Sequence, residues 1–198
     1  KIGLGYETLR ARNPGLIYAS ASAFGPEGAE GRARATDLLG QARSGLLMLQ
    51  PDQEEPSFPD GGMGDQMGAI GLAYGVLCAV IARERFGIGQ RVDAPMFGSM
   101  LWLRGLPLAI ALMAASGRPT SSPVSKHVRK GGYTRKEPSN PLWNTFRCGD
   151  GKWLAMAILQ SDPHWPVVLD ALGQPQELAA DVRFASHLSR CEHAAACT

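Results

Sequence analysis

Apolar and polar positions along the chain change their period several times, and each change predicts an element. Tyr6 to Ala11 is mildly helical and stops at the breaker cluster Asn13-Pro14-Gly15. The run from Leu16 to Phe24 mixes β-branched and aromatic residues with small ones and ends at Gly25-Pro26, which predicts a buried strand of parallel type. A polar loop, Glu27 to Arg34, follows. Leu38, Leu39, Ala42, Leu46 and Leu49 recur near helical spacing, so Thr36 to Leu49 reads as a helix. The proline- and glycine-rich stretch Gln50 to Gly64 reads as an irregular loop.

From Gln66 to Phe86, Met67, Ile70, Leu72, Ala73, Val76, Leu77, Val80 and Ile81 predict a long helix with a wide buried face. Gly68, Gly71 and Gly75 lie on that face. A helical glycine costs about 1 kcal/mol against alanine, so three of them imply close backbone packing or a ligand lying against the helix. Gly87 and Gly89 end the helix as C-cap residues would. Gln90 to Pro95 reads as a short strand and Gly98 to Ser116 as a second buried helix. Residues 117–141 read as a linker. Beyond it, Leu142 to Phe146 and Trp153 to Ile158 flank a Gly149-Asp150-Gly151 turn, a hairpin signal. Trp143 and Trp153 are expected in the core there, and Asp162 to Leu172 as a helix with Pro163 in its first turn.

Composition changes this picture little. With 198 residues, 44% hydrophobic and 19% charged, the chain has an ordinary globular make-up and length enough for a core. A formal net charge of +2 gives no reason to expect a nucleic-acid partner. The densest basic stretch, Lys126 to Lys136, is interrupted by Gly131, Gly132 and Tyr133 and reads as a solvated loop. The apolar run Leu101 to Ala115 is broken by Arg104 and Pro107 and is too short to span a bilayer, so no membrane partner is expected. Cys78, Cys148, Cys191 and Cys197 lack metal-ligand spacing, and no metal is expected. Cys78, inside an apolar run, is expected reduced and buried, which with the absence of a secretory pattern at Lys1 points to a cytoplasmic protein. Both ends read as cut from a longer protein.

The chemistry-bearing candidate is Asp65, placed immediately before the long helix. Its local reading is an ordinary N-cap. A helix N-terminus also keeps a carboxylate ionised, and an ionised carboxylate is a usable nucleophile where water is excluded. Gly61, Gly62 and Gly64 would let the backbone approach a ligand, or form a flexible turn. Arg83 and Arg85 read as helix-end cations. His127, His164, His187 and His193 are scattered, with no partner at helical spacing, and read as surface or structural residues.

Three stretches in order resemble the class III CoA-transferase family, which includes formyl-CoA and carnitine CoA-transferases. They are Asn13-Pro-Gly-Leu-Ile-Tyr-Ala-Ser-Ala-Ser-Ala-Phe-Gly25, then Gly64-Asp-Gln-Met-Gly68 running into Ala82-Arg-Glu-Arg-Phe-Gly-Ile-Gly-Gln-Arg-Val-Asp93, and Asn140-Pro-Leu-Trp-Asn-Thr-Phe-Arg-Cys-Gly-Asp-Gly-Lys-Trp153. The resemblance implies an α/β chain: part of a Rossmann-like large domain over 1–116, a linker over 117–141, and the start of a smaller α+β domain over 142–198. It also implies that an N-terminal half-sheet and a C-terminal return segment belong to the whole protein, which would be an interlocked homodimer.

The function so implied is transfer of coenzyme A from an acyl-CoA donor to a carboxylic acid. Asp65 is then the nucleophile, passing through an aspartyl anhydride and an aspartyl-CoA thioester, with backbone N–H groups stabilising each oxyanion. Coenzyme A is a substrate, and no permanently bound cofactor is implied. By the same resemblance Arg34 would meet the CoA phosphates, and Gly64, Gly131 and Gly132 would belong to active-site loops. The alternatives are 2-methylacyl-CoA racemisation, which in that branch uses a histidine where Thr36 stands before Asp37, and a non-catalytic fragment. Threonine is no base near neutral pH, which favours transfer.

Overall fold

The computed structural model describes residues 2–31, 33–48, 61–117, 135–136 and 138–197. The chain divides into two compact units, with the division between Leu108 and Ala109.

The first unit is built on one βαβ crossover. A short helix, α1 (Tyr6–Arg10), precedes strand β1 (Ile17–Ser22), and the Tyr18 ring lies tilted against that of Tyr6 with centroids 5.8 Å apart. Helix α2 (Asp37–Arg43) and a 3-10 turn, Leu46–Met48, occupy the segment predicted as one helix to Leu49. Gly45, in a left-handed conformation, separates the two. Helix α3 (Met63–Phe86) then returns the chain to strand β2 (Gln90–Pro95). The strands pair in parallel from Ile17 opposite Gln90 to Ser22 opposite Pro95. A parallel pair requires a crossover of this kind, and the long α3 supplies it. The parallel type expected from the Leu16–Phe24 run is what forms.

Close approach, more than apolar bulk, explains how α3 packs. A Cβ on Gly71 would lie 2.6 Å from Ser99 Oγ, and one on Gly75 would lie 2.7 Å from Val92 Cγ1. The glycine stripe is therefore the seat of β2 and of helix α4 (Met96–Leu103). Gly87 is the left-handed C-cap of α3. Gly89 is not a cap. It sits where the chain crosses the Pro14–Leu16 backbone, and a Cβ there would fall 2.1 Å from the Pro14 carbonyl oxygen.

Several expectations fail here for one reason. The described residues of this unit hold a two-stranded sheet with α3 on it, and much apolar surface is left exposed. No residue of β1 is buried, and Cys78 is exposed. Ile70, Leu77 and Ile81 of the expected buried face are more than half exposed. The buried apolar residues of this unit are Leu46, Leu47, Ala79, Ala94, Met96 and Met100. By length and composition α3, with a mean hydropathy of 1.5, would suffice to cross a bilayer. Its glycine face against β2 and α4 is that of a helix in a folded α/β unit. The second apolar segment is not one helix either: α4 ends at Arg104, and α5 (Gly105–Ala115) begins after it.

In the second unit, strands β3 (Trp143–Arg147) and β4 (Trp153–Ala157) form the expected antiparallel hairpin. Trp143 and Trp153 do not fill its core; they are 50% and 59% exposed, because each occupies the outward parity of its strand. Trp153 instead stacks beneath the Arg135 guanidinium at 5.3 Å. Helix α6 (Trp165–Ala171) starts three residues later than predicted, with Pro166, not Pro163, in its first turn. Helices α7 (Gln176–Ala179), α8 (His187–Glu192) and α9 (Ala194–Cys197) follow. Arg190, on α8, is fully buried. Its guanidinium donates to Ser161 Oγ, the Phe184 carbonyl and Asp162 Oδ1, and lies 4.7 Å from the Trp165 ring centroid.

Candidate active site

Asp65 is not the N-cap of α3. The helix extends back to Met63, its N-cap is Gly62 in a left-handed conformation (φ 86°), and Asp65 is the third helical residue. A helix start leaves four N–H groups without intrahelical partners. Asp37, the first residue of α2, takes three of them. Its Oδ2 accepts from Gly62 N at 2.8 Å, and its Oδ1 accepts from Gly64 N at 2.6 Å and from Asp65 N at 3.1 Å. Gln41, one turn further along α2, donates Nε2 to Asp37 Oδ2 at 2.7 Å and fixes the carboxylate in place.

This arrangement accounts for the glycines differently from the sequence reading. Gly64 is buried, and a Cβ on it would lie 2.9 Å from Asp37 Oδ1 and 3.0 Å from the Asp37 carbonyl oxygen. Its missing side chain admits Asp37, not a ligand. The N–H groups of Gly62, Gly64 and Asp65 are likewise engaged by a carboxylate, so they do not face a developing oxyanion. Burial alone would raise the Asp37 pKa, but the backbone donors from Gly62, Asp65 and Gly64, with the Gln41 amide, outweigh it and hold the group below its ordinary value.

The Asp65 side chain is exposed and lines a cavity of about 430 Å³ with Ser22, Ala23, Ala35, Gly68 and Met96. The cavity lies beyond the carboxyl ends of β1 and β2, where ligands bind in open parallel α/β sheets. Arg34 is exposed, and its neighbour Ala35 lines the same cavity. Gly131, Gly132 and His127 lie outside the described residues. Among the described residues no group of three or more His, Cys, Asp or Glu could hold a metal ion. Two histidines do have partners, contrary to expectation: His187 Nδ1 lies 3.0 Å from Ser161 Oγ and its ring reaches Cys191 Sγ at 3.7 Å, while His193 Nδ1 lies 2.9 Å from the Ser189 carbonyl oxygen. The four-residue spacing of His187 and Cys191 on a helix is the signal that points to the second contact.

The model of CoA-transferase family III matches residues 1–198. The chain is 34% identical over 193 residues to a protein named as a probable fatty acyl-CoA transferase from Mycobacterium tuberculosis, covering 96% of this chain and 47% of that one. It is 33% identical over 186 residues to the succinyl-CoA:mesaconate CoA-transferase of Haloarcula hispanica, covering 91% and 43%. An alpha-methylacyl-CoA racemase from Mus musculus matches at 28% over 185 residues, covering 89% and 44%. The crystal structure of a CAIB/BAIF family protein from Brucella suis superposes with a TM-score of 0.70 at 28% identity, over 98% of this chain and 48% of that one. The chain thus spans about half the length of the curated relatives it matches.

Proposed function

The chain belongs to CoA-transferase family III, and from that premise we propose that its site exchanges coenzyme A between carboxylic acids, with Asp65 as the nucleophile. The observation that carries this reading is the placement of an exposed carboxylate in the first turn of a long helix, on a cavity beyond the ends of two parallel strands. A carboxylate attacks a thioester carbonyl without a prior proton transfer.

The steps balance without ATP, metal or redox partner. An Asp65 carboxylate oxygen bonds to the acyl carbon of the donor, and the carbon–sulfur bond breaks to release the CoA thiolate and leave a mixed anhydride. The thiolate then attacks the Asp65 carbonyl carbon, expelling the donor acid as carboxylate and forming the aspartyl-CoA thioester. The acceptor carboxylate attacks that thioester, and the released thiolate attacks the acceptor's carbonyl in the new anhydride. Acyl-CoA product and free Asp65 result. Coenzyme A is a substrate throughout, and Arg34, beside the cavity, suits its phosphates. The whole protein is read as a cytoplasmic, interlocked homodimer that completes the pocket.

The test is to incubate the whole protein with succinyl-CoA and hydroxylamine and to examine the Asp65 peptide by mass spectrometry. A hydroxamate on Asp65, absent in Asp65→Asn, is expected; its absence from the folded wild type overturns the proposal. The racemase relative supplies the second reading, which deuterium wash-in at the α-carbon of a 2-methylacyl-CoA would reveal. Thr36 at the position ahead of Asp37 offers no base for that chemistry.

A further inference from the structure

We infer that Asp37, held by Gln41, is a positioning residue for the proposed reaction: it fixes the first turn of α3, and so the aim of the Asp65 carboxylate into the cavity. The inference rests on Asp65 being the nucleophile. Its basis is that groups of the fold itself engage the Asp37 carboxylate. Both its oxygens are taken, one by Gly64 N and Asp65 N, the other by Gly62 N and Gln41 Nε2.

A cap need not be supplied this way. The usual device is a Ser, Thr, Asp or Asn at the N-cap itself, satisfying one or two donors locally. Here the N-cap is glycine, with no side chain, and a carboxylate from another helix binds three of the free donors, those of Gly62, Gly64 and Asp65 itself. The contact demands further adjustments from the sequence. Gly64 must lack a Cβ, Gly62 must be left-handed, and Gln41 must be buried to 1% exposure with its Oε1 lacking a partner among the described residues. A buried unpartnered carbonyl is costly, so retaining Gln41 for stability alone is a poor solution. Retaining it to lock the Asp37 carboxylate is consistent with every contact it makes.

Charge matters as well as shape. Asn at position 37 would replace one acceptor oxygen with an NH2 group, which would face the N–H of Gly62 or of Gly64 and turn that half of the contact repulsive. Small errors in the placement of a reacting group cost up to about a hundredfold in rate.

The test compares wild type, Asp37→Asn and Gln41→Met in the whole protein. Succinyl-CoA is the donor, the readouts are Asp65 hydroxamate formation and CoA affinity, and rates are expressed per folded protein. The expectation for Asp37→Asn is hydroxamate formation slowed about 10- to 100-fold with CoA affinity unchanged. Gln41→Met removes the lock together with the orphan carbonyl and so leaves folding intact; a several-fold slowing is expected, and it decides the matter if Asp37→Asn does not fold. Wild-type rates in the folded variants overturn the positioning role while leaving Asp65 as nucleophile. No hydroxamate in the wild type overturns both.

Discussion

Asp37 reaches across 28 positions of sequence to accept the backbone N–H of Asp65 at 3.1 Å, so the two carboxylates share one helix terminus in opposite capacities. Asp37 is spent on the backbone. Asp65 keeps its own side chain at the cavity. The helix start thus receives one carboxylate on its backbone and presents another at the cavity.

The shared terminus predicts an acid limb in stability. The folded state holds the Asp37 carboxyl below its ordinary 3.8, so it binds fewer protons there than the unfolded chain does. Its contribution is fully present above the unfolded value and is lost as pH falls through the depressed folded one. Denaturant midpoints measured between about pH 6 and pH 3 should fall on the acid side, and Asp37→Asn should flatten that limb. The same slope in both proteins would show that Asp37 is not the responsible group.

Asp65 should behave oppositely. Its side chain is exposed, so Asp65→Ala should lose only the favourable charge at the helix start, about 0.3–1 kcal/mol. CoA exchange by the whole protein should nevertheless disappear. Thermal melts paired with exchange assays check this. A variant that exchanges CoA at the wild-type rate would remove Asp65 from the mechanism.

How far the sequence discloses this site depends on the range of the interaction. The strands and hairpin are legible because their period and their breakers are local, as at Gly149-Asp150-Gly151 before β4. The candidate Asp65 is legible through the family motif. Its true structural position is not, because the capping group lies on another helix and nothing in Gly64-Asp65-Gln66 announces it. The burial of α3 is misread for a complementary reason. Ile70, Leu77 and Ile81 have the spacing of a core face, yet the contacts run through Gly64, Gly71 and Gly75, and those apolar side chains stay more than half exposed. Pattern identifies which residues want burial; it does not say which face the neighbouring elements meet.

The glycine contacts predict a graded series. Gly89→Ala would drive a Cβ to within 2.1 Å of the Pro14 carbonyl oxygen, a backbone atom that cannot rotate away. Loss of the folded first unit is expected. Gly75→Ala meets the Val92 methyl group at 2.7 Å, where a shift of β2 can relieve the clash. Overpacking of about 1–3 kcal/mol, offset by about 1 kcal/mol of helix propensity, leaves a modest net loss. Circular dichroism melts of the two variants should separate clearly, with Gly89→Ala the worse; equal midpoints would refute the close crossing at Pro14.

Arg190 predicts the weak point of the second unit. Its guanidinium is wholly buried, donating to Ser161 Oγ at 3.1 Å from Nε and at 3.0 Å from Nη2, and also to the Phe184 carbonyl and to Asp162. Arg190→Ala would strand buried acceptors, at about 1–3 kcal/mol for each one left without a donor. It would also remove the cation from the face of Trp165. Arg190→Lys keeps the charge but not the planar fork that spans Ser161, Phe184 and Asp162, so it should recover only part of the loss. Hydrogen exchange should localise the damage to residues Ser161 to Glu192. If amides there keep their protection in Arg190→Ala, the buried fork is not what ties Ser161, Asp162 and Phe184 to α8.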